Sequence, residues 1–232
     1  MTRAGATVDL VQRLRALPAP RPMLSRDDLE RLTDRQRELL TQLGSLFRDG
    51  FADLTMSEIA AQLNCSLRTL YGLAPSRDEL VLTVVDTHLW RTGREAMAAI
   101  GPDLSPLEAV RAYLGAATVA VSGTTPAYAR DLAAMPAARR RNGEHADYVV
   151  AVTRTLLDVA VERGDIPDVD TAAVARTLAN LGQDFIAPEV MATLRSSPKV
   201  AADGVIDIIL RGLAAPAPPS APDPEGSAHA RH

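Results

Sequence analysis

The sequence predicts an all-α protein: a small N-terminal three-helix unit containing a helix-turn-helix, followed by a larger helical body. Apolar residues recur at i, i+3, i+4 spacing over most of the chain, and no convincing period-2 strand interrupts them. Proline and glycine punctuate the chain at helix-length intervals, at Gly101-Pro102, Gly123 to Pro126, Gly164 and Pro198. Between Thr55 and Tyr71 two short helical patterns meet at a tight turn, an arrangement that presents the second helix as a rigid probe for a DNA major groove.

Residues 1–30 form an extension. Val8, Leu10, Val11, Leu14 and Leu17 have helical spacing, and the run Pro18-Ala19-Pro20-Arg21-Pro22 ends that pattern in an extended segment. Within residues 1–26, Arg3, Arg13, Arg15, Arg21 and Arg26 oppose only Asp9, so two readings stay open: a leader packed on the body, or a basic arm reaching DNA.

The helix-turn-helix unit is expected over residues 31–80. Leu39, Leu40, Leu43, Leu46 and Phe47 form a stripe that can roof the pair. Thr55 or Ser57 can cap the first helix, whose apolar positions are Ile59, Ala60 and Leu63, and Glu58 stands where a capping box needs it. Asn64 tolerates the left-handed conformation of the turn. Ser66 caps a second helix, Leu67 to about Tyr71, in which Leu67, Leu70 and Tyr71 share one side while Arg68 and Thr69 point away. Gly72 ends it, Pro75 delays the next helix, and Ser76 caps that helix with Asp78 and Glu79 in its first turn.

Over residues 81–214 the helix from Ser76 reaches about Ile100. Further helices are expected from Ser105-Pro106 to about Ser122, from Pro126 to Arg141, and from Gly143 to Arg163. A loop at Asp165 to Asp168 precedes a helix from Thr171 to about Leu194, bent at Pro188, and a last one from Ser196-Ser197-Pro198 to about Leu213. That makes roughly nine or ten helices by periodicity. From 215 to 232 the composition turns to Pro, Ala, Ser and Gly, and a disordered tail is expected.

The 232 residues, 47% of them apolar, give room for a sizeable core. Net charge is −4, but eleven arginines balance eleven acids through residue 80, so the acidity lies entirely beyond the helix-turn-helix. A single cysteine, Cys65, excludes an internal disulfide framework and makes a reducing cytoplasm the default. Beside a helix start its thiol is either a redox-sensitive group or, more plainly, a small buried apolar side chain. No 18-residue apolar run or secretory leader is visible, so no membrane partner is expected. The four histidines are scattered, no His or Cys pair has ligand spacing, and nucleotide-binding and hydrolase motifs are missing. No cofactor, metal or catalytic residue is therefore expected.

Leu46-Phe47, Gly50-Phe51, Thr55, Ile59-Ala60, Ser66 and Thr69-Leu70-Tyr71, followed by Ser76-Arg77-Asp78-Glu79-Leu80, resemble in order and spacing the DNA-binding domain of the TetR-type (TetR/AcrR) transcriptional regulators. Three features depart from that pattern: Asn64 stands in place of a turn glycine, Arg68-Thr69 where small residues are frequent, and Leu73-Ala74 where an aromatic pair is common. The resemblance implies a sequence-specific DNA-binding regulator, a repressor by family expectation, which grips a palindromic double-stranded operator as a homodimer and is released by a small-molecule effector. By position, the DNA contacts would be Thr55, Ser57, Ser66, Arg68, Thr69, Tyr71 and Arg77. Thr55 would cap its helix and meet a phosphate, Ser66, Arg68 and Thr69 would face the groove, and Tyr71 and Arg77 would touch the backbone. Arg68 would read a base, since its fork matches guanine O6 and N7.

The resemblance also implies that the last two long helices pair between subunits, through stripes at Val174, Leu178, Leu181, Phe185 and at Val205, Ile208, Ile209, Gly212. An effector pocket would draw on Trp90, Tyr113, Tyr128, Met135, Tyr148, Gln183 and Phe185, with His88, His145 and Asp184 adding polar contacts. The plainer reading of these aromatics is ordinary core packing. Arg139-Arg140-Arg141 reads as a solvated helix end or a second anion contact. Two other functional classes remain: a dimeric all-α interaction module whose DNA contacts have degenerated, and an all-α enzyme built on the same scaffold.

Overall fold

The computed structural model describes residues 10–214, apart from the side chain of Ala120. The tail expected at 215–232 and the start of the extension, Arg3 and Val8 included, lie outside the described residues. Residues 10–15 are helical. Eleven α-helices follow: α1 (Arg26–Arg31), α2 (Asp34–Leu46), α3 (Met56–Gln62), α4 (Leu67–Tyr71), α5 (Arg77–Ala98), α6 (Pro106–Ala117), α7 (Pro126–Ala134), α8 (Pro136–Glu162), α9 (Thr171–Phe185), α10 (Pro188–Met191) and α11 (Pro198–Ala214). Short 3-10 turns at Phe47–Asp49 and Thr118–Val121 extend α2 and α6, and no strand occurs among the described residues. None of these helices is long and apolar enough to cross a membrane.

Hydroxyl caps start most helices. Ser25, Thr33, Thr55 and Ser105 each close a reciprocal capping box, and Ser66, Ser76 and Thr125 each accept from the backbone N–H three residues on. The helices bury two apolar cores. The first joins Leu39, Leu43 and Phe47 of the roof to Ile59, Leu70, Leu80 and Val81, and also takes in Leu132 and Ala138. The second gathers Tyr113, Leu114, Leu156, Leu157, Leu178 and Ile206 from α6, α8, α9 and α11. Helix α5 belongs to both: Leu80 to Val85 lie in the first core and Ala96 in the second.

Between those two stretches the helix carries a polar cluster. Asp86 is buried and faces Arg141 Nε at 3.3 Å and His145 Nε2 at 3.5 Å, both on α8. Its other carboxylate oxygen accepts from the Met23 backbone at 2.8 Å, and Arg141 donates to the Arg21 carbonyl. The ring of Trp90, one turn on from Asp86, meets His145 edge-on with centroids 5.8 Å apart.

One of two open readings is taken up, and one expectation changes. Among its described residues the extension is a packed leader rather than a reaching arm: Leu14 is buried in the second core and Arg13 pairs with Glu162 at 2.7 Å. The break expected at Gly143 falls instead at Met135-Pro136. Pro136 has no N–H to lose at the first helical position, so it starts a 27-residue helix that runs straight through Gly143. Packing of the flanking turns overrides the low helix propensity of that one exposed glycine. Arg139, Arg140 and Arg141 therefore stand within a helix, and Arg141 is the one engaged by Asp86.

A methyl group at Gly143 would meet nothing within 4 Å. Gly143→Ala should therefore raise stability by about 0.5–1 kcal/mol, read as a higher midpoint in urea unfolding. A turn at this position would make the same change destabilising.

Candidate DNA-binding surface

Helix α4, the second of the pair, is only five residues long and cannot hold itself together; isolated helices of this length do not persist in water. Leu70, fully buried, anchors it in the first core, and the Ser66 hydroxyl accepts the Thr69 N–H at 3.1 Å. The turn before it places Asn64 at φ +47°, the one left-handed non-glycine residue among the described residues. Leu73 and Ala74, which stand in place of an aromatic pair, are buried in the same core, and Cys65 packs on its edge. The cysteine thus has the small apolar role.

What α4 leaves outward is Ser66, Leu67, Arg68 and Tyr71, with Thr69 half-buried and Tyr71 52% exposed. The Ser66 and Thr69 hydroxyls hydrogen-bond each other at 2.8 Å. Arg68 is exposed and makes no hydrogen bond or ion pair with any described residue, whereas Arg35 pairs with Glu38 and Arg37 with Asp34, each at 2.7 Å. Ser57 is exposed in the first turn of α3.

Two expected phosphate contacts are otherwise engaged. The Thr55 hydroxyl donates to Glu58 at 2.7 Å and accepts the Glu58 N–H at 3.2 Å, so a phosphate there would have to displace a carboxylate. Arg77 is turned inward: Nε donates to the Leu54 carbonyl, Nη2 to the carbonyls of Phe51 and Ala52, and Nη1 to Asp78. All three guanidinium nitrogens hold protein groups. The opposite face of that loop is held by Asp131 of α7, whose Oδ2 accepts the N–H groups of Phe51 and Ala52. Gly50, at φ +103°, permits this approach, because a Cβ there would stand 3.2 Å from Asp131 Oδ2 and 3.3 Å from the Ala127 Cβ. Asp131 was not visible as a functional residue in the sequence. The only signal was an acid on an otherwise apolar, alanine-rich helix.

The aromatic set expected to line one pocket is dispersed. Tyr128 packs edge-on against Phe51, centroids 5.8 Å apart, beside Met135 on the first core, and burial pushes its hydroxyl pKa up to about 12. Tyr113 is 1% exposed inside the second core, where burial, with Tyr148 adding to it, raises its pKa further. Tyr148 packs at the rim of that core. Trp90 lies against His145, while Gln183 and Phe185 are half-buried on α9 with Asp184 exposed between them. These side chains fill space between helices and do not converge on a cavity.

No protein-family model matches the sequence, and neither does any curated protein. Solved structures do match. A regulatory protein of the TetR family from Rhodococcus superposes with a TM-score of 0.61 at 19% identity, over 80% of this chain and 100% of that one. The fold is that of the TetR-family regulators. A TetR-like transcriptional regulator, also from Rhodococcus, gives 0.59 at 24% identity, covering 79% and 99% of the two chains. A TetR transcription regulator from Haloarcula marismortui gives 0.63 at 18%, covering 78% and 99%. The superposed fold takes in both the unit centred on α3 and α4, the head, and the helices from α5 onward, the body.

Arg77→Ala would strip three loop carbonyls of their donor, and an unsatisfied part-buried group costs about 1–3 kcal/mol. Urea unfolding should show a loss in that range, which Arg77→Lys, without the planar fork, restores only in part. The capping box has its own signature. The Thr55 hydroxyl, and then its N–H, hold the Glu58 carboxyl below the ordinary 4.5. A depressed folded-state pKa contributes stability that is complete above the unfolded value and is lost as pH falls through the folded one. Wild type should therefore exceed Glu58→Gln in stability at pH 7, and the difference should shrink as the pH falls below 4.5 through the depressed folded-state value.

Proposed function

We propose that the chain is a sequence-specific DNA-binding transcriptional regulator of the TetR type, working in the cytoplasm as a homodimer and acting as a repressor that a small-molecule effector releases from a palindromic operator. The observation that carries the reading is Arg68, an exposed guanidinium with no partner among the described residues, on a capped helix whose buried face is locked. An unpaired fork on a rigid, outward helix is suited to bidentate contact with guanine. Ser57, Ser66, Thr69 and Tyr71 would position the helix on the flanking backbone, while Thr55 and Arg77 support the head from within.

The dimer rests on α11. Ile206 and Leu210 point into the second core and Ala202 is buried, whereas Ile208 is 70% exposed, Gly204 and Gly212 have open space around them, and Val205 and Ile209 are half-covered. An apolar, small-residue face of this kind lets a second helix approach closely. On α9 the expected stripe is divided: Leu178 is buried in the chain's own core, while Val174, Leu181 and Phe185 are partly covered. Two heads held about 34 Å apart would meet successive turns of the major groove. An effector needs only to favour one head spacing by about 1–3 kcal/mol to act as a switch.

Fluorescence anisotropy with the chain's own upstream DNA tests this. Wild type should bind one sequence far more tightly than a scrambled duplex. Arg68→Ala should cost about 1–3 kcal/mol on that sequence and little on the scrambled one. Ile208→Glu should leave the protein monomeric by sedimentation and weaken operator binding. Uniform weak binding to every duplex would instead favour an interaction module with degenerate DNA contacts.

A further inference from the structure

A cleft of about 680 Å³ opens between the head and the body, walled by α1 and α2 on one side and by α5, the turn after α6 and Tyr128 on the other. Its size lies within the range of small-molecule sites. Of the aromatic set singled out in the sequence, only Tyr128 reaches it.

Two features of its lining point to one chemistry. The inner wall is apolar, with Leu32, Leu40, Val84 and Val119, and Val119 is left 41% exposed there. The charged lining is cationic, with Arg37, Arg48 and Arg91 beside His88 and five serine and threonine hydroxyls, and no aspartate or glutamate lines the cleft. Arg37 is already paired with Asp34. Arg48 has Ser45 as its side-chain partner and Arg91 has His88, and neither guanidinium meets a carboxylate among the described residues. Two uncompensated guanidiniums facing an apolar recess favour a carboxylate or similar anion carrying a hydrophobic body.

Gly44 supplies the room. It sits inside α2, where glycine is costly relative to alanine, and a Cβ there would find only Val84 Cγ1, at 3.9 Å. In the second core, by contrast, Tyr113, Leu114, Leu156 and Leu157 are all 2% exposed or less.

We propose that this cleft binds an organic anion with an apolar body, and, resting on the regulator reading above, that it is where the effector acts. Such a molecule touches head and body at once, so its affinity depends on how far α2 stands from the α6–α7 turn. Binding would therefore favour one setting of the head over another.

Isothermal titration of the full chain with decanoate tests the site without DNA. Saturable binding of one decanoate per protomer is expected, with 1-decanol, the same body without charge, roughly tenfold weaker or worse. Arg48→Gln and Arg91→Gln should each weaken decanoate by a similar factor. Gly44→Leu fills the recess and should abolish binding while keeping the helical circular dichroism and cooperative unfolding of the wild type. Non-saturable binding, or binding indifferent to Gly44→Leu and to both arginine changes, overturns the site. Operator anisotropy on the same preparations separates the two readings. Cleft-dependent decanoate binding by a protein that ignores DNA keeps the site and removes the regulator. Operator binding with no decanoate in the cleft does the reverse.

Discussion

The loop from Phe51 to Leu54 is gripped from both sides, and the aim of the reading helix depends on that grip. Arg77 holds the carbonyls of Phe51, Ala52 and Leu54 and Asp131 holds the N–H groups of Phe51 and Ala52, so a short, part-buried segment is held by side chains from two different helices. The two helices that follow, α3 and α4, are too short to be stable alone, and their orientation is inherited from this loop and from the core beneath Leu70. Asp131 matters more than its single side chain suggests because it belongs to the body. Through it, the head is tied to α7 as well as to its own continuation in α5. Thr125 adds a second tie from the start of α7, donating to the Arg48 carbonyl.

That arrangement makes α5 and α7 the physical link between the head and anything that happens in the body. Helix α5 lies in both cores, and between them it carries Asp86, a buried carboxylate with cationic or polar partners from α8 and a backbone N–H from the leader. A lone buried charge would be prohibitive, so this cluster holds α5, α8 and residues 21–23 in one register. The leader thus acts as a strap over the junction, which is why a chain segment rich in arginine and proline is packed here. On the other side of α5 lies the cleft, between α2 and the α6–α7 turn, and its walls are joined where Thr125 donates to the Arg48 carbonyl.

The parts of this structure that were legible in the sequence are those fixed by contacts three or four residues apart. Thr55, Asn64, Ser66 and Ser76 each state a cap or a turn within their own neighbourhood, and all four take the conformations that their side chains dictate. Pro136 and Gly143 show where this stops. Both are punctuation residues, and only packing decides that the proline starts a helix while the glycine, seven places on, merely weakens one. The inward turn of Arg77 was hidden because its carbonyl partners lie 23 to 26 residues earlier, and Asp131 because its partners are about 80 away. Scarcity of aromatics was a poor guide to a cavity, since large rings are well suited to filling gaps between helices. The cleft drew its lining from four separate segments, and the one trace it left in the sequence was a glycine inside α2.

The two uncovered features, the outer face of α11 and the cleft, act on the same quantity by different routes. Pairing of α11 with a second copy would fix the distance between bodies, because an apolar face with Gly204 and Gly212 allows close packing but little sliding once Ile208 is seated. The angle of each head on its body is set separately, by the loop tie on one side and by the width of the cleft on the other. A two-headed reader tolerates a change in neither, since both heads must meet the groove on the same face of the duplex. A ligand small enough to enter one cleft would not have to disturb the dimer at all. On the proposed dimer, tilting each head by a small amount, doubled by the symmetry, would take the pair out of phase with the DNA.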